Sequence, residues 1–137
     1  MGYKIEVRRL IKAQSLARAG ILFAPASFLN ASIDELTRVC NGCGAAGSRF
    51  RPPKRIYGTL IVYACIIHDW MYEKGFTNDD KEEADRSMHY NIQRLIDRDE
   101  HKWHKPTALQ YKRAKVYYLG VKYGGGKAFW KGKNKSA

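Results

Sequence analysis

At 137 residues the chain has the length of one domain and can bury a core without depending wholly on covalent staples. A hydrophobic content of 45% with 28% charged residues excludes a disordered chain, and no run approaches the roughly 18 uninterrupted apolar residues of a membrane span. The 25 Lys and Arg against 13 Asp and Glu, net +12, turn the surface toward polyanions, nucleic acid or an anionic bilayer, without choosing between them.

Residues 1–31 read as an N-terminal arm. Ile5 to Ala19 is an amphipathic stretch, and a Gly20-interrupted apolar segment follows. Arg8, Arg9, Lys12 and Arg18 before the apolar run Ala19 to Leu29 imitate a signal peptide, but Glu6 and Pro25 break the pattern. Gly2 lacks the Ser or Thr that myristoylation needs further on. A domain over 32–124 then opens on Ser32-Ile33-Asp34-Glu35, a capping box for a short helix ending near Asn41-Gly42. Asn41 to Gly58 is Gly-rich, then basic, with Pro52-Pro53, and predicts a long loop.

Thr59 is placed to cap a helix through Lys74, with Gly75 as the stop, and Asn78 to cap the next. That next helix starts with Asp79, Asp80, Glu82 and Glu83, a solvated first turn favoured by the dipole, and buries Ala84, Met88, Ile92, Leu95 and Ile96. A last helix runs from about Thr107 to Tyr123. Residues 125–137 predict a basic, flexible tail, the end of a stretch after Glu100 with ten basic residues and no acidic one. With no alternating pattern of any length, the expected fold class is all-α: two antiparallel helices, a Gly- and Cys-bearing loop, and flanking helices.

Chemistry concentrates in Cys65-Ile66-Ile67-His68-Asp69-Trp70-Met71-Tyr72. Residues three and four apart share a helix face, so Cys65, His68, Asp69 and Tyr72 form one stripe. The returning helix can bring Asp85 opposite His68, where a carboxylate fixes the imidazole tautomer and stabilises the imidazolium; Tyr72 can hydrogen-bond the same carboxylate. Asp69 offers a hard oxygen to a cation, and the Asn41-Gly42-Cys43-Gly44 loop could add backbone carbonyls. His89, His101 and His104 lack such neighbours and read as surface residues; Trp70, Met71 and Phe76 read as packing.

CxxHDxxY after a Gly- and Cys-bearing loop, with an Asp on the next helix, resembles the phospholipase A2 superfamily over about residues 40–95, most closely the small microbial enzymes and the domain of parvovirus capsid proteins. The resemblance implies calcium-dependent hydrolysis of the sn-2 ester of glycerophospholipids at a bilayer surface, with the basic C-terminal segment docking on anionic lipid. It implies His68 as the general base activating water, Asp85 orienting His68, Tyr72 supporting Asp85, and Asp69 as a Ca2+ ligand with Asn41, Gly42 and Gly44 in the metal loop. A bridge between Cys43 and Cys65 is also implied, leaving Cys40 over; reduced thiols in the core are the alternative. The resemblance is compatible with a viral or phage particle component. The chain departs from the pattern at Asn41, where the microbial enzymes carry an acid, and at Met71, where animal enzymes carry Cys. A relative that binds membranes without cleaving would explain Asn41 but not the complete set of His68, Asp69, Tyr72 and Asp85.

Cys40, Cys43, Cys65 and His68 also have the spacing of a Cys3His zinc site, which with the net charge describes a zinc-stabilised nucleic-acid-binding module. That reading leaves Asp69, Tyr72 and Asp85 unused. An HD-type metal phosphohydrolase needs His ligands upstream of His68, and the chain has none there.

Overall fold

The computed structural model describes residues 5–40, 54–99 and 107–133, and over them the chain is mostly helical. The elements are α1 (Val7–Arg18), α2 (Ala26–Leu29), α3 (Ile33–Val39), β1 (Arg55–Ile56), β2 (Thr59–Leu60), α4 (Val62–Lys74), α5 (Asn78–Asp97), α6 (Ala108–Gly124) and α7 (Gly126–Trp130). No described helix is long and apolar enough to cross a membrane.

α4 is the axis of the fold because both its sides are apolar. Val62, Ile66, Ile67 and Trp70 pack with Leu10, Ala13, Phe28 and Leu36 of the N-terminal helices and with Leu22 between α1 and α2. Ala64 and Cys65 pack instead with Met88, Ile92 and Ile96 of α5 and Ala114, Tyr117 and Val121 of α6. α5 runs back along α4: Thr59, just before α4, bonds Asp99, just after α5, while His68 bonds Asp85 midway.

The N-terminal arm, whose structure the sequence leaves open, contributes Leu10, Ala13, Ala17, Leu22 and Phe28 to the core where it is described. Gln14 on α1 spends its amide N–H groups on the carbonyls of Phe28, Leu29 and Ala31 at 3.0, 3.3 and 2.9 Å. Asn91 of α5 accepts from Phe23 N at 2.8 Å and donates to Phe23 O at 2.9 Å. Buried side-chain amides thus satisfy the backbone of a segment that forms no regular ladder.

Several boundaries move. Ser32 accepts from Glu35 N as expected, but the Glu35 carboxylate reaches Lys74 rather than back to the cap. Thr59 caps no helix; it lies in a two-stranded hairpin that the sequence did not predict, with Ile56 opposite Thr59. Tyr57 and Gly58 have φ of 44° and 92°, the two positive values of a type I′ turn, and Gln110 Nε2 holds the carbonyl of Ile56 at 3.1 Å. Thr77, not Asn78, caps α5, in a capping box with Asp80, so the expected solvated acid is a structural one. Thr107 caps α6 through Gln110.

The C-terminal expectation changes most. In place of a flexible tail from residue 125, the chain turns at Gly125 into α7, and Phe129 is fully buried, edge-on to Tyr72 at 5.2 Å between ring centroids. A Cβ on Gly125 would stand 2.5 Å from both the Tyr72 hydroxyl and Val121 O, so the absence of a side chain there lets α6 and α7 close over Tyr72. Phe76, read as packing, is 74% exposed. His89, read as a surface residue, stacks on Tyr118 at 5.1 Å with its Nε2 buried and unpartnered.

Candidate active site

The helical spacing brings His68 and Tyr72 one turn apart on α4, their rings 4.0 Å apart, and the return of α5 sets Asp85 against both. His68 Nε2 lies 2.8 Å from Asp85 Oδ1, and the Tyr72 hydroxyl donates to the same oxygen at 2.6 Å. His68 is 7% and Asp85 1% exposed, so this is a titratable cluster inside the helix pair rather than a surface ion pair.

Burial pushes the Asp85 carboxyl up, but His68, then Lys81 and Tyr72, more than offset it and hold the group below its ordinary value. Asp85 is thus a carboxylate at neutral pH and an acceptor only. The nitrogen facing it must carry the proton, which assigns the Nε2–H tautomer to neutral His68 and leaves the Nδ1 lone pair for chemistry. Among the described residues no hydrogen bond engages Nδ1. Tyr72 is kept neutral by burial and by the adjacent Asp85 charge, both of which raise its hydroxyl, so it remains a donor.

One member of this cluster was not among the expected site residues. Lys81, one turn before Asp85 on α5, donates to Asp85 Oδ2 at 2.8 Å and to the carbonyls of Val121 and Lys122 at 3.0 and 3.2 Å. Its i, i+4 spacing from Asp85 was the available signal. In an acid-rich first turn it reads as an exposed partner of its neighbours, yet it is 9% exposed.

Asp69 is also on the buried wall, 8% exposed, and its charge adds to burial in pushing the Cys40 thiol up. A buried carboxylate oxygen is chemically suited to a hard cation such as calcium. Among the described residues no three His, Cys, Asp or Glu side chains cluster as a metal-holding group; the expected shell draws on one carboxylate and backbone carbonyls. Asn41, Gly42 and Gly44, and with them Cys43, lie outside the described residues. Cys65 is disulfide-bonded and Cys40 is a buried free thiol. The bridge takes the Cys65 thiolate out of the Cys3His set. The donors that remain do not fit tetrahedral zinc.

Comparison of the chain with protein families, with curated proteins and with solved structures finds no match.

Proposed function

We propose that the chain is a calcium-dependent, phospholipase A2-like ester hydrolase acting on glycerophospholipids at a bilayer surface. The observation that supports it best is the buried His68–Asp85–Tyr72 cluster, in which Asp85 takes the Nε2 side of the ring and leaves Nδ1 as a base. In this reading His68 Nδ1 accepts a proton from the water that attacks the sn-2 carbonyl. Asp85 stabilises the imidazolium so formed, and the proton then passes from Nδ1 to the departing alkoxide. Tyr72 holds the Asp85 oxygen that faces the ring. Calcium, bound through Asp69 and the loop at Asn41, Gly42 and Gly44, would supply Lewis-acid polarisation of the ester carbonyl.

Docking is supported by exposed basic side chains: Lys112, Arg113, Lys115 and Lys122 of α6 and Lys127 of α7 are all exposed to solvent. Each such charge contributes about 1 kcal/mol near an anionic bilayer. Nucleic acid would meet the same charges, but would leave the buried cluster without a use.

The test is hydrolysis of mixed-chain phosphatidylglycerol vesicles by metal-free protein, titrated with calcium and separately with zinc, with the released fatty acid identified by mass. Calcium-dependent release of the sn-2 chain supports the reading. No release at any calcium concentration, by protein shown to be folded and vesicle-bound, would overturn it.

A further inference from the structure

Lys81 is the least expected buried charge in the molecule. Burying an ammonium is unfavourable unless its charge is paired and its donors are used. An ammonium has three N–H donors, and Lys81 has three acceptors in reach: Asp85 Oδ2 at 2.8 Å, Val121 O at 3.0 Å and Lys122 O at 3.2 Å. The two carbonyls belong to the last turn of α6, where the dipole favours a cation; Val121 O accepts from Gly125 N at 2.8 Å as well as from Lys81.

We infer that Lys81 is a positioning residue for the proposed hydrolase, acting through Asp85: it anchors the carboxylate to the end of α6 and so fixes the plane in which Oδ1 meets His68. The inference rests on the hydrolase reading for its catalytic consequence, though not for its geometry.

The division of Asp85 between its two oxygens carries the argument. Oδ1 takes both site partners, His68 Nε2 and the Tyr72 hydroxyl, while Oδ2 takes only Lys81 among the described bonds. A carboxylate held by one oxygen can swing about its Cβ–Cγ bond. Held by both, with the second tether fastened to another helix, it cannot, and the imidazole it orients inherits that fixity. Lys81 makes no hydrogen bond to His68. Together with Asp85 it lines a cavity of about 630 Å3 on the α6–α7 side, with Asn78, Tyr123 and Trp130 also in its wall. That cavity is no second anion site for Lys81, because all three of its donors are already used within the protein.

Full-length Lys81→Met and Lys81→Gln proteins test the role, each checked for helical content and thermal unfolding. In each, the His68 tautomer is read from ring 15N–1H correlations at a pH where the imidazole is neutral, and kcat and KM from calcium-dependent hydrolysis of phosphatidylglycerol vesicles. A single Nε2–H tautomer is expected in the unaltered chain, and a mixed tautomer in folded Lys81→Met with kcat lowered about 10- to 100-fold at nearly constant KM. Lys81→Gln, which keeps N–H donors, should fall between and serves where Lys81→Met does not fold. A folded variant with unaltered tautomer and kcat overturns the inference, as does failure of both variants to fold, which would make Lys81 a structural residue only. If the unaltered chain hydrolyses nothing, the hydrolase reading fails, and the tautomer alone still decides whether Lys81 positions the ring.

Discussion

Gln14 and Asn91 are as deeply buried as His68 and Asp85, yet the two sets are used differently. In the N-terminal layer the amides bind backbone: Gln14 the carbonyls around α2, Asn91 both polar groups of Phe23. Between α4 and α5 the polar side chains His68, Tyr72 and Lys81 all converge on one carboxylate, and of the three it is Lys81 that also reaches backbone, the carbonyls of Val121 and Lys122. A buried amide that closes a backbone valence is explained by folding alone. Four titratable groups gathered on one carboxylate are not, since apolar side chains of similar volume in their place are often as stable. The contrast separates residues that should matter for stability only from residues that should matter for chemistry.

The largest expected effect is on the chemistry side. His68→Ala should lower sn-2 hydrolysis by about 10²- to 10⁴-fold, the usual contribution of a general base, in protein that still folds, though with a lowered thermal midpoint because a buried partner of Asp85 is lost. Activity comparable to the unaltered chain in the vesicle assay would remove His68 from the mechanism. Asp85→Ala should damage both properties, because it leaves Lys81 as an uncompensated buried charge. Loss of one partner of a buried pair costs about 3–5 kcal/mol, read as a fall in the denaturant midpoint. The same carboxylate makes stability acid-sensitive. Its folded value lies below its unfolded one, so its contribution is full above the unfolded value of about 3.9 and is lost as pH falls through the folded value.

Asn91→Ala sharpens the comparison from the other side. Two backbone groups of Phe23 lose their partner, a cost of roughly 1–3 kcal/mol, and specific activity per folded molecule should stay unchanged. A tenfold fall in kcat in the folded variant would show that the N-terminal layer is coupled to the site. Gly125→Ala falls between the two regions. Its Cβ would meet a backbone carbonyl and the Tyr72 hydroxyl at 2.5 Å, so about 1–3 kcal/mol of overpacking is expected, with activity lowered because Tyr72 must give way.

What was legible in the sequence was whatever depends on spacing within one helix or across one short turn. The stripe His68, Tyr72 and the return to Asp85 needed only the helical period and the turn at Gly75, and Thr107 before α6 announced its own start. The hairpin was missed because strands of two residues carry no alternation and Tyr57-Gly58 is not one of the strong turn pairs. Lys81 and Phe129 were missed for a deeper reason: their burial is decided by partners far along the chain, Val121 for one and Tyr72 for the other. A basic, Gly-rich composition describes residues 125–133 correctly as a sequence and says nothing of the aromatic contact that orders α7.

The smallest expected effect concerns His89, which belongs to neither set. Its ring stacks on Tyr118 with a 14° interplanar angle, its Nε2 is buried without a partner, and burial, aided by the Lys115 charge, lowers its affinity for a proton. Below the unfolded value of about 6.5 the unfolded chain binds a proton that the folded chain refuses, so stability falls as pH drops through 6.5 and levels off below the folded value. The thermal midpoint should therefore decline between pH 7.5 and 5.5, by no more than a few degrees for a half-buried group in a domain of this size. His89→Phe keeps a flat ring against Tyr118 and removes both the orphaned nitrogen and the titration. It should be at least as stable as the unaltered chain at pH 7.5 and lose the decline; a variant that keeps the decline would place its origin elsewhere than in His89.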